Sequence, residues 1–401
     1  MFKKLISILL SVIMIFGVFT ISFATDSDSG IIRFGADGKF KIMHVTDTHL
    51  EDFNVDDTVW ALGKACDEEN PDIVIITGDI AINNGDEAET KRIIGMLMNV
   101  FEQRDIPVAV TFGNHDSEVE GAMTREEVMA CYNSYSCSVS VDDGEALSGC
   151  GTYNIPVLAS DSDDVKFNIW VFDSGDYDDN GHYGCVMPDQ IEWYKQTSDA
   201  LAAANGGEKV NSVVFQHIIV PEIYDVLEKV NYPTLFAFPR IYSENEYYRF
   251  DPDNVNYGTL NEKPCPGYEN YGQFDAMVEK GDVLAMFTGH DHTNAFGVRN
   301  QGIDITTTIS SRYNGESFSS AYGYRIVEID ENDTSTYYTR VVRWYDFFTM
   351  EDVIDCIKNG NKEDLGLTFE IAFGGFWHSI AKSLYRFLGS VLTFRQVSYP
   401  D

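Results

Sequence analysis

The chain has 401 residues, 44% hydrophobic and 13% aromatic, enough for one large core and therefore a globular catalytic or binding domain rather than a fibrous or disordered one. Its 64 Asp plus Glu against 28 Lys plus Arg give a formal charge of −36, a field that repels polyanions, so no nucleic-acid partner is expected. A small phosphorylated substrate stays compatible with that charge, because bound divalent cations reverse its sign locally.

The first residues read as an export signal. Lys3 and Lys4 form a positive start, residues 5–23 are apolar, and Ser22-Phe23-Ala24 offers a small-x-small cleavage pattern. Residues 1–24 are thus expected to be a signal peptide cut after Ala24, with an uncleaved membrane anchor as the alternative. Cleavage leaves 26 Lys plus Arg against 64 Asp plus Glu, a formal −38. Export permits disulfides among the seven cysteines, and Cys131, Cys137 and Cys150 are close enough in sequence to supply one bridge.

Residues 40–46 form an apolar run that ends at Asp47-Thr48-His49, and residues 73–77 form another that ends at Gly78-Asp79. Both read as buried strands, and the helical spacing of Val59, Leu62, Ala65 and Cys66 between them predicts a strand, helix, strand unit. The pattern repeats: a helix over 87–103 precedes a strand over 108–112, which delivers Gly113-Asn114-His115-Asp116. Thr124-Arg125-Glu126-Glu127 opens the next helix as a capping box. A strand over 167–172 and a helix over 188–204 lead to a strand over 210–215 and Gln216-His217. A strand over 283–287 leads to Gly289-His290-Asp291-His292, and residues 303–344 alternate as β-structure.

Three stretches lack a ligand motif. Residues 218–273 are rich in Tyr, Pro, Asn and Glu with little period and read as a long loop, either a substrate-facing wall or packing over a sheet edge. Residues 173–181, Asp-rich without the closing Glu of a calcium loop, read as a solvated acidic turn. A short capped helix ending at Asn359-Gly360 and an amphipathic helix over 373–392 form a C-terminal extension; docking on the main domain is expected, with contact to a membrane surface as the alternative.

The five stretches supply metal-ligand types at the ends of predicted strands, and they contain five of the eight histidines. His44, His182 and His378 are read as structural. Hydrolysis of a phosphate ester needs a nucleophile at neutral pH, neutralisation of the phosphoryl oxygens and a proton for the leaving alkoxide, and two adjacent metal ions serve the first two needs. Asp79, alone after a glycine at a strand end, suits the carboxylate that bridges two ions. Asp47 and His49, two residues apart, can bind one ion from the same face. Asn114 offers a neutral oxygen, and His217, His290 and His292 offer nitrogens. This mixed set fits Mn, Zn or Fe better than Mg or Ca. His115, left over from the ligand count, is the candidate general acid.

The motifs resemble the calcineurin-like metallophosphoesterases over residues 40 to about 330. Asp173-Ser174-Gly175, Gln190-Ile191-Glu192-Trp193-Tyr194, Asn270-Tyr271-Gly272 and Asn294 add a likeness to the purple-acid-phosphatase-related branch. The resemblance implies an α/β sandwich of two mixed β-sheets flanked by helices, here a catalytic domain over 25–345 followed by the helical extension 346–401. It also implies one metal ion on Asp47, His49, Asp79 and His292, a second on Asp79, Asn114, His217 and His290, and His115 near the leaving group with Asp116 as its supporting acid. Purple members carry a tyrosine ligand three residues after the bridging aspartate; Ile82 stands there in this chain, so the iron-tyrosinate colour is expected to be absent. Cys185 also departs from the large aromatic of that branch, and the extension 346–401 is not covered by the resemblance. The activity implied is phosphomonoester hydrolysis by direct attack of a metal-bridging hydroxide. The alternatives are a phosphodiesterase acting on nucleotides or lipid head groups and a non-catalytic phospholigand-binding surface protein.

Overall fold

Alternate residues of the apolar runs face opposite ways, and both faces are covered. Ile73 and Ile75 join one buried cluster while Val74 and Ile76 join another, and Val213 and Phe215 are divided in the same way from Val214. This two-sided burial accounts for runs that are continuous rather than alternating. The structure, a computed structural model, describes residues 31–81, 85–117, 119, 121–141, 146–231, 237–251, 253–313 and 322–347. The expected signal peptide, Ile82, and the expected helices after residue 348 lie outside the described residues. No helix among the described residues is long and apolar enough to cross a membrane.

The described elements belong to the unit Ile32–Asp401. The strands are β1 (Lys39–Val45), β2 (Ile73–Thr77), β3 (Val108–Thr111), β4 (Tyr153–Leu158), β5 (Val165–Phe172), β6 (Ser212–Gln216), β7 (Leu227–Val230), β8 (Phe238–Pro239), β9 (Tyr247–Phe250), β10 (Val255–Thr259), β11 (Val283–Thr288), β12 (Ala295–Asn300), β13 (Ile303–Thr307), β14 (Gly323–Asp330) and β15 (Asp333–Arg343). The helices are α1 (Val55–Glu69), α2 (Glu87–Glu102), α3 (Arg125–Tyr132), α4 (Pro188–Ala204), α5 (Gln273–Lys280) and α6 (Trp344–Phe347).

One sheet runs in the order β15-β14-β1-β2-β3 and a larger one in the order β10-β12-β13-β11-β6-β5-β4. Both are mixed: β1, β2 and β3 are parallel, as are β5, β6, β11 and β13, while the remaining neighbours are antiparallel. Phe40, Ile42, Ile75 and Val327 of the first sheet pack against Phe167, Ile169, Phe215 and Phe287 of the second. Helices α1 to α3 cover the outer face of the first sheet, and α4 and α5 that of the second. The expected sandwich of two mixed sheets flanked by helices is therefore present.

The expected loop over 218–273 is built differently. It holds β7, β8 and β9 as a small sheet of order β7-β9-β8, and it sends β10 to the edge of the larger sheet. Half-buried tyrosines and short strands obscure the period there: β9 is Tyr-Tyr-Arg-Phe, with one of its four residues buried. The six described cysteines form no disulfide, so the bridge that the spacing of Cys131, Cys137 and Cys150 permits is not made.

Candidate metal centre

Parallel strands deliver their C-terminal ends to one edge, and that is where the motifs fall. Asp47 follows β1, Asp79 follows β2, Asn114 follows β3, His217 follows β6 and His290 follows β11. The chain turns sharply at these ends. Asp47, His49, Asp79 and His290 all hold positive φ, between 41° and 69°, a region that costs a residue with a Cβ about 1–3 kcal/mol. Gly78 has φ 84°, and a Cβ there would meet the Gly113 amide nitrogen at 2.0 Å, so the backbones after β2 and β3 touch only because this residue is glycine.

Asp116 clamps these two turns. Its carboxylate accepts the amides of Asp79 at 2.8 Å, Gly113 at 2.7 Å and Ile80 at 3.1 Å. Burial first, and the nearby Asp79 carboxylate second, push its pKa up to about 6. These bonds make Asp116 a clamp on the ligand loops. The two sheets are joined at the same place, where His217 Nδ1 lies 2.7 Å from the Thr77 carbonyl. A carbonyl can only accept, so Nδ1 carries the proton and Nε2 is left to bind a ligand.

Each expected ligand is held by one atom and offers another. Asp47 Oδ2 accepts from Thr46 Oγ1 at 2.7 Å and from the His290 amide at 2.9 Å, and Asp79 Oδ1 accepts from the His115 amide at 2.8 Å. The opposite atoms, Asp47 Oδ1 and Asp79 Oδ2, are buried without a hydrogen-bond partner, and so are Asn114 Oδ1, His217 Nε2 and His290 Nε2. Leaving such atoms unsatisfied costs about 1–3 kcal/mol each, which argues for cations as their partners.

Two groups can each hold one ion: Asp47, His49 and His292, and Asp79, His217 and His290, with the ligand atoms of each within 4.8 Å of one another. His49 Nε2 and His292 Nε2 face each other at 3.1 Å, and His292 Nε2 is 3.4 Å from Asp47 Oδ1. Asp79 Oδ2 stands 3.2 Å from His217 Nε2 and 3.9 Å from His49 Nε2, which places it between the groups, as a bridging oxygen must be. Ligands about 2.1 Å from an ion lie roughly 3.0–3.4 Å from each other, so the 3.1, 3.2 and 3.4 Å spacings fit the group the site implies, and the 3.9 Å between Asp79 and His49 closes with a small side-chain shift. Elsewhere in the described residues no further cluster of this kind occurs.

The charges point the same way. Burial opposes protonation of His217, but the Asp79 and Asp47 carboxylates outweigh it and raise the pKa to about 10. Burial likewise opposes charge on His292, yet the Asp47 carboxylate 3.4 Å away raises it to about 9. Burial lowers His49 to about 4 against the pull of Asp79. It lowers His290 to about 3, helped by the positive charge of His217. Two buried carboxylates thus draw protons onto two imidazoles, and a cation among them would take over that neutralising role and displace the protons.

Six of the seven expected ligands and His115 meet in this one place, and Asn114 precedes His115, whose amide is bound by Asp79. His115 is the most open of the site histidines, its side chain 41% exposed, with Nε2 4.0 Å from Asp79 Oδ2. His44 stays structural: it is buried, with its ring nitrogens 2.8 Å from Thr308 Oγ1 and 2.7 Å from Thr77 Oγ1. The acidic turn at 173–181 is not simply solvated. Asp173 is buried and binds Arg125 through both oxygens at 2.7 and 2.8 Å, while Arg125 Nη2 donates to the Gly113 carbonyl at 2.6 Å. Sequence reasoning missed Arg125 because it sits inside a capping box and its partner is 48 residues away. Three further branch residues serve as props: Gln190 donates to the Asp173 carbonyl at 2.8 Å, Ser174 accepts the Ile218 amide at 2.9 Å, and Asn294 accepts the Asn261 amide at 2.8 Å.

The chain is similar to several known proteins. The Arabidopsis thaliana protein named "Probable inactive purple acid phosphatase 14" is 26% identical over 322 residues, which cover 71% of this chain and 73% of the relative. "Probable inactive purple acid phosphatase 29" of the same plant is 25% identical over 344 residues, covering 75% and 79%. A crystal structure of a dimetal phosphatase from Danio rerio aligns at TM-score 0.47 and 12% identity over 76% of this chain and 99% of that one. The sequence profile of the calcineurin-like phosphoesterases matches residues 40–294. That stretch is more than half of the sequence and contains every strand end that carries an expected ligand, and on it the chain belongs to the calcineurin-like phosphoesterases.

Proposed function

We propose that the chain is an exported phosphoesterase, dependent on two divalent metal ions, that hydrolyses phosphomonoesters. One observation carries the reading: five buried ligand atoms, on Asp47, Asp79, Asn114, His217 and His290, lack hydrogen-bond partners and come together from five strand ends. Asp47, His49 and His292 would hold one ion, Asn114, His217 and His290 the other, and Asp79 both. The mixed oxygen and imidazole set favours Mn, Zn or Fe. When bound, two such ions supply the attacking oxygen at neutral pH and neutralise the phosphoryl oxygens.

The chain itself supplies the proton and the geometry. His115, on the open side of the site with its ring 5.4 Å from that of His49, can hand a proton to the departing alkoxide. Asp116 and Thr77 fix the loops so that the ligands need little rearrangement. Export is supported by the pattern of residues 1–24.

The Arabidopsis relatives carry "inactive" in their names, which makes non-catalytic phospholigand binding the second reading. The presence of all seven ligands and His115 favours catalysis. The test is purified protein loaded with Mn, Zn or Fe, assayed on alkyl and aryl monoesters and on diesters. Metal-dependent turnover that is faster on monoesters supports the proposal, and faster turnover on diesters makes the protein a diesterase. No turnover on any ester, by protein that holds two equivalents of metal, establishes the binding role instead.

A further inference from the structure

The loop that begins at Asp173 returns to the metal centre by a route none of the ligand motifs uses. Tyr177 and Tyr183 pair across an isolated antiparallel bridge, with ring centroids 5.5 Å apart. The turn between them is locked: Asp178 accepts the amides of Asn180 and His182, and its Oδ2 is 2.9 Å from His182 Nδ1. The His182 ring stacks on Tyr268 at 4.0 Å. Tyr183 is gripped through its backbone, since its amide donates to the Tyr242 hydroxyl at 2.8 Å and its carbonyl accepts the Tyr268 amide at 3.1 Å.

Both aromatic side chains of this brace reach ligands of the same ion. The Tyr177 hydroxyl accepts Asn114 Nδ2 at 2.7 Å, and the Tyr183 ring stands edge-on to His290, 4.3 Å away at 84°. An amide has one oxygen and one NH2. With the NH2 committed to Tyr177, Oδ1 is the remaining acceptor, and it is buried without a hydrogen-bond partner. That is the orientation a cation requires. The Tyr183 ring restricts how far the His290 imidazole can swing.

We propose that Tyr177 and Tyr183 are positioning residues for the ion at Asp79, Asn114, His217 and His290, and that the ion at Asp47, His49 and His292 does not depend on them. The inference rests on the dinuclear reading. Outer partners of metal ligands typically contribute about 10- to 100-fold to metal affinity.

The test uses the full chain titrated with Mn(II), read by binding isotherm and by electron paramagnetic resonance, for wild type, Tyr177→Phe and Tyr183→Leu. Wild type should bind two equivalents and give the spectrum of a spin-coupled pair. Each variant should bind one equivalent normally and the other about 10- to 100-fold more weakly, with the hyperfine multiplet of an isolated Mn(II) at intermediate metal. Two unchanged equivalents in Tyr177→Phe, or an equal loss at both positions, overturns the inference alone. A loss that tracks a lowered melting temperature of the metal-free variants replaces positioning with a structural role. Wild type that binds a single equivalent removes the dinuclear reading and the inference together.

Discussion

Arg125 shows how one side chain can govern a site it never enters. Its side chain is 11% exposed and that of Asp173 is not exposed at all, so the pair is desolvated, and removing one partner strands a buried charge. Arg125→Met is expected to lower stability by about 3–5 kcal/mol in urea unfolding of the metal-free protein. A loss under about 1 kcal/mol would mean that the carboxylate finds water instead. Because Arg125 also holds the Gly113 carbonyl, the variant should bind metal less tightly as well. At His115 the expectation concerns chemistry rather than folding. His115→Ala should retain both ions and lose about 10²- to 10⁴-fold in kcat on alkyl monoesters, but far less on p-nitrophenyl phosphate, whose leaving group needs no proton. Equal losses on the two substrates would remove the general-acid role.

Among elements, those that end in a ligand were the easiest to read. An apolar run followed by Gly-Asp, Gly-Asn-His or Gly-His couples a two-faced buried strand to a turn that glycine permits, and both halves of that signal are local. At Gly78 the atom in the way is backbone, the Gly113 amide nitrogen. Gly78→Ala would place a Cβ against the Gly113 amide at positive φ, and it is expected to destabilise the chain by about 1–3 kcal/mol and to lower metal stoichiometry, read by denaturation and elemental analysis. Normal stability with two metals bound would show that the turn can relax. The poorly legible elements depend on distant partners. Strands β7 to β9 form against one another from segments of two to four residues with no clean period, and the 173–181 turn looks solvated because its counter-charge lies in α3. Arg325 on β14 follows the same pattern: it is buried, and its bonds to the Thr307 carbonyl, Thr308 and Thr339 appear only once the sheets are assembled.

The whole chain carries a formal charge of −36, and substrates of the proposed reaction are anions. Long-range repulsion slows their approach, and salt weakens it as the Debye length falls from about 30 Å at 0.01 M to about 8 Å at 0.15 M. For a phosphomonoester dianion, kcat/KM is therefore expected to rise several-fold over that range while kcat stays level. A fall in kcat/KM with salt would mean that the local field of the ions dominates capture.

Each of the two ligand groups draws on both sheets. Asp47 and His49 follow β1 and His292 follows β11, while Asp79 follows β2 and His217 and His290 follow β6 and β11. Loading the centre therefore fastens one sheet to the other at a single edge, and amide hydrogen exchange should register it. Metal should slow exchange at the ends of β1, β2, β6 and β11, leave the edge strand β15 nearly unchanged, and so report occupancy in a sample with no substrate present.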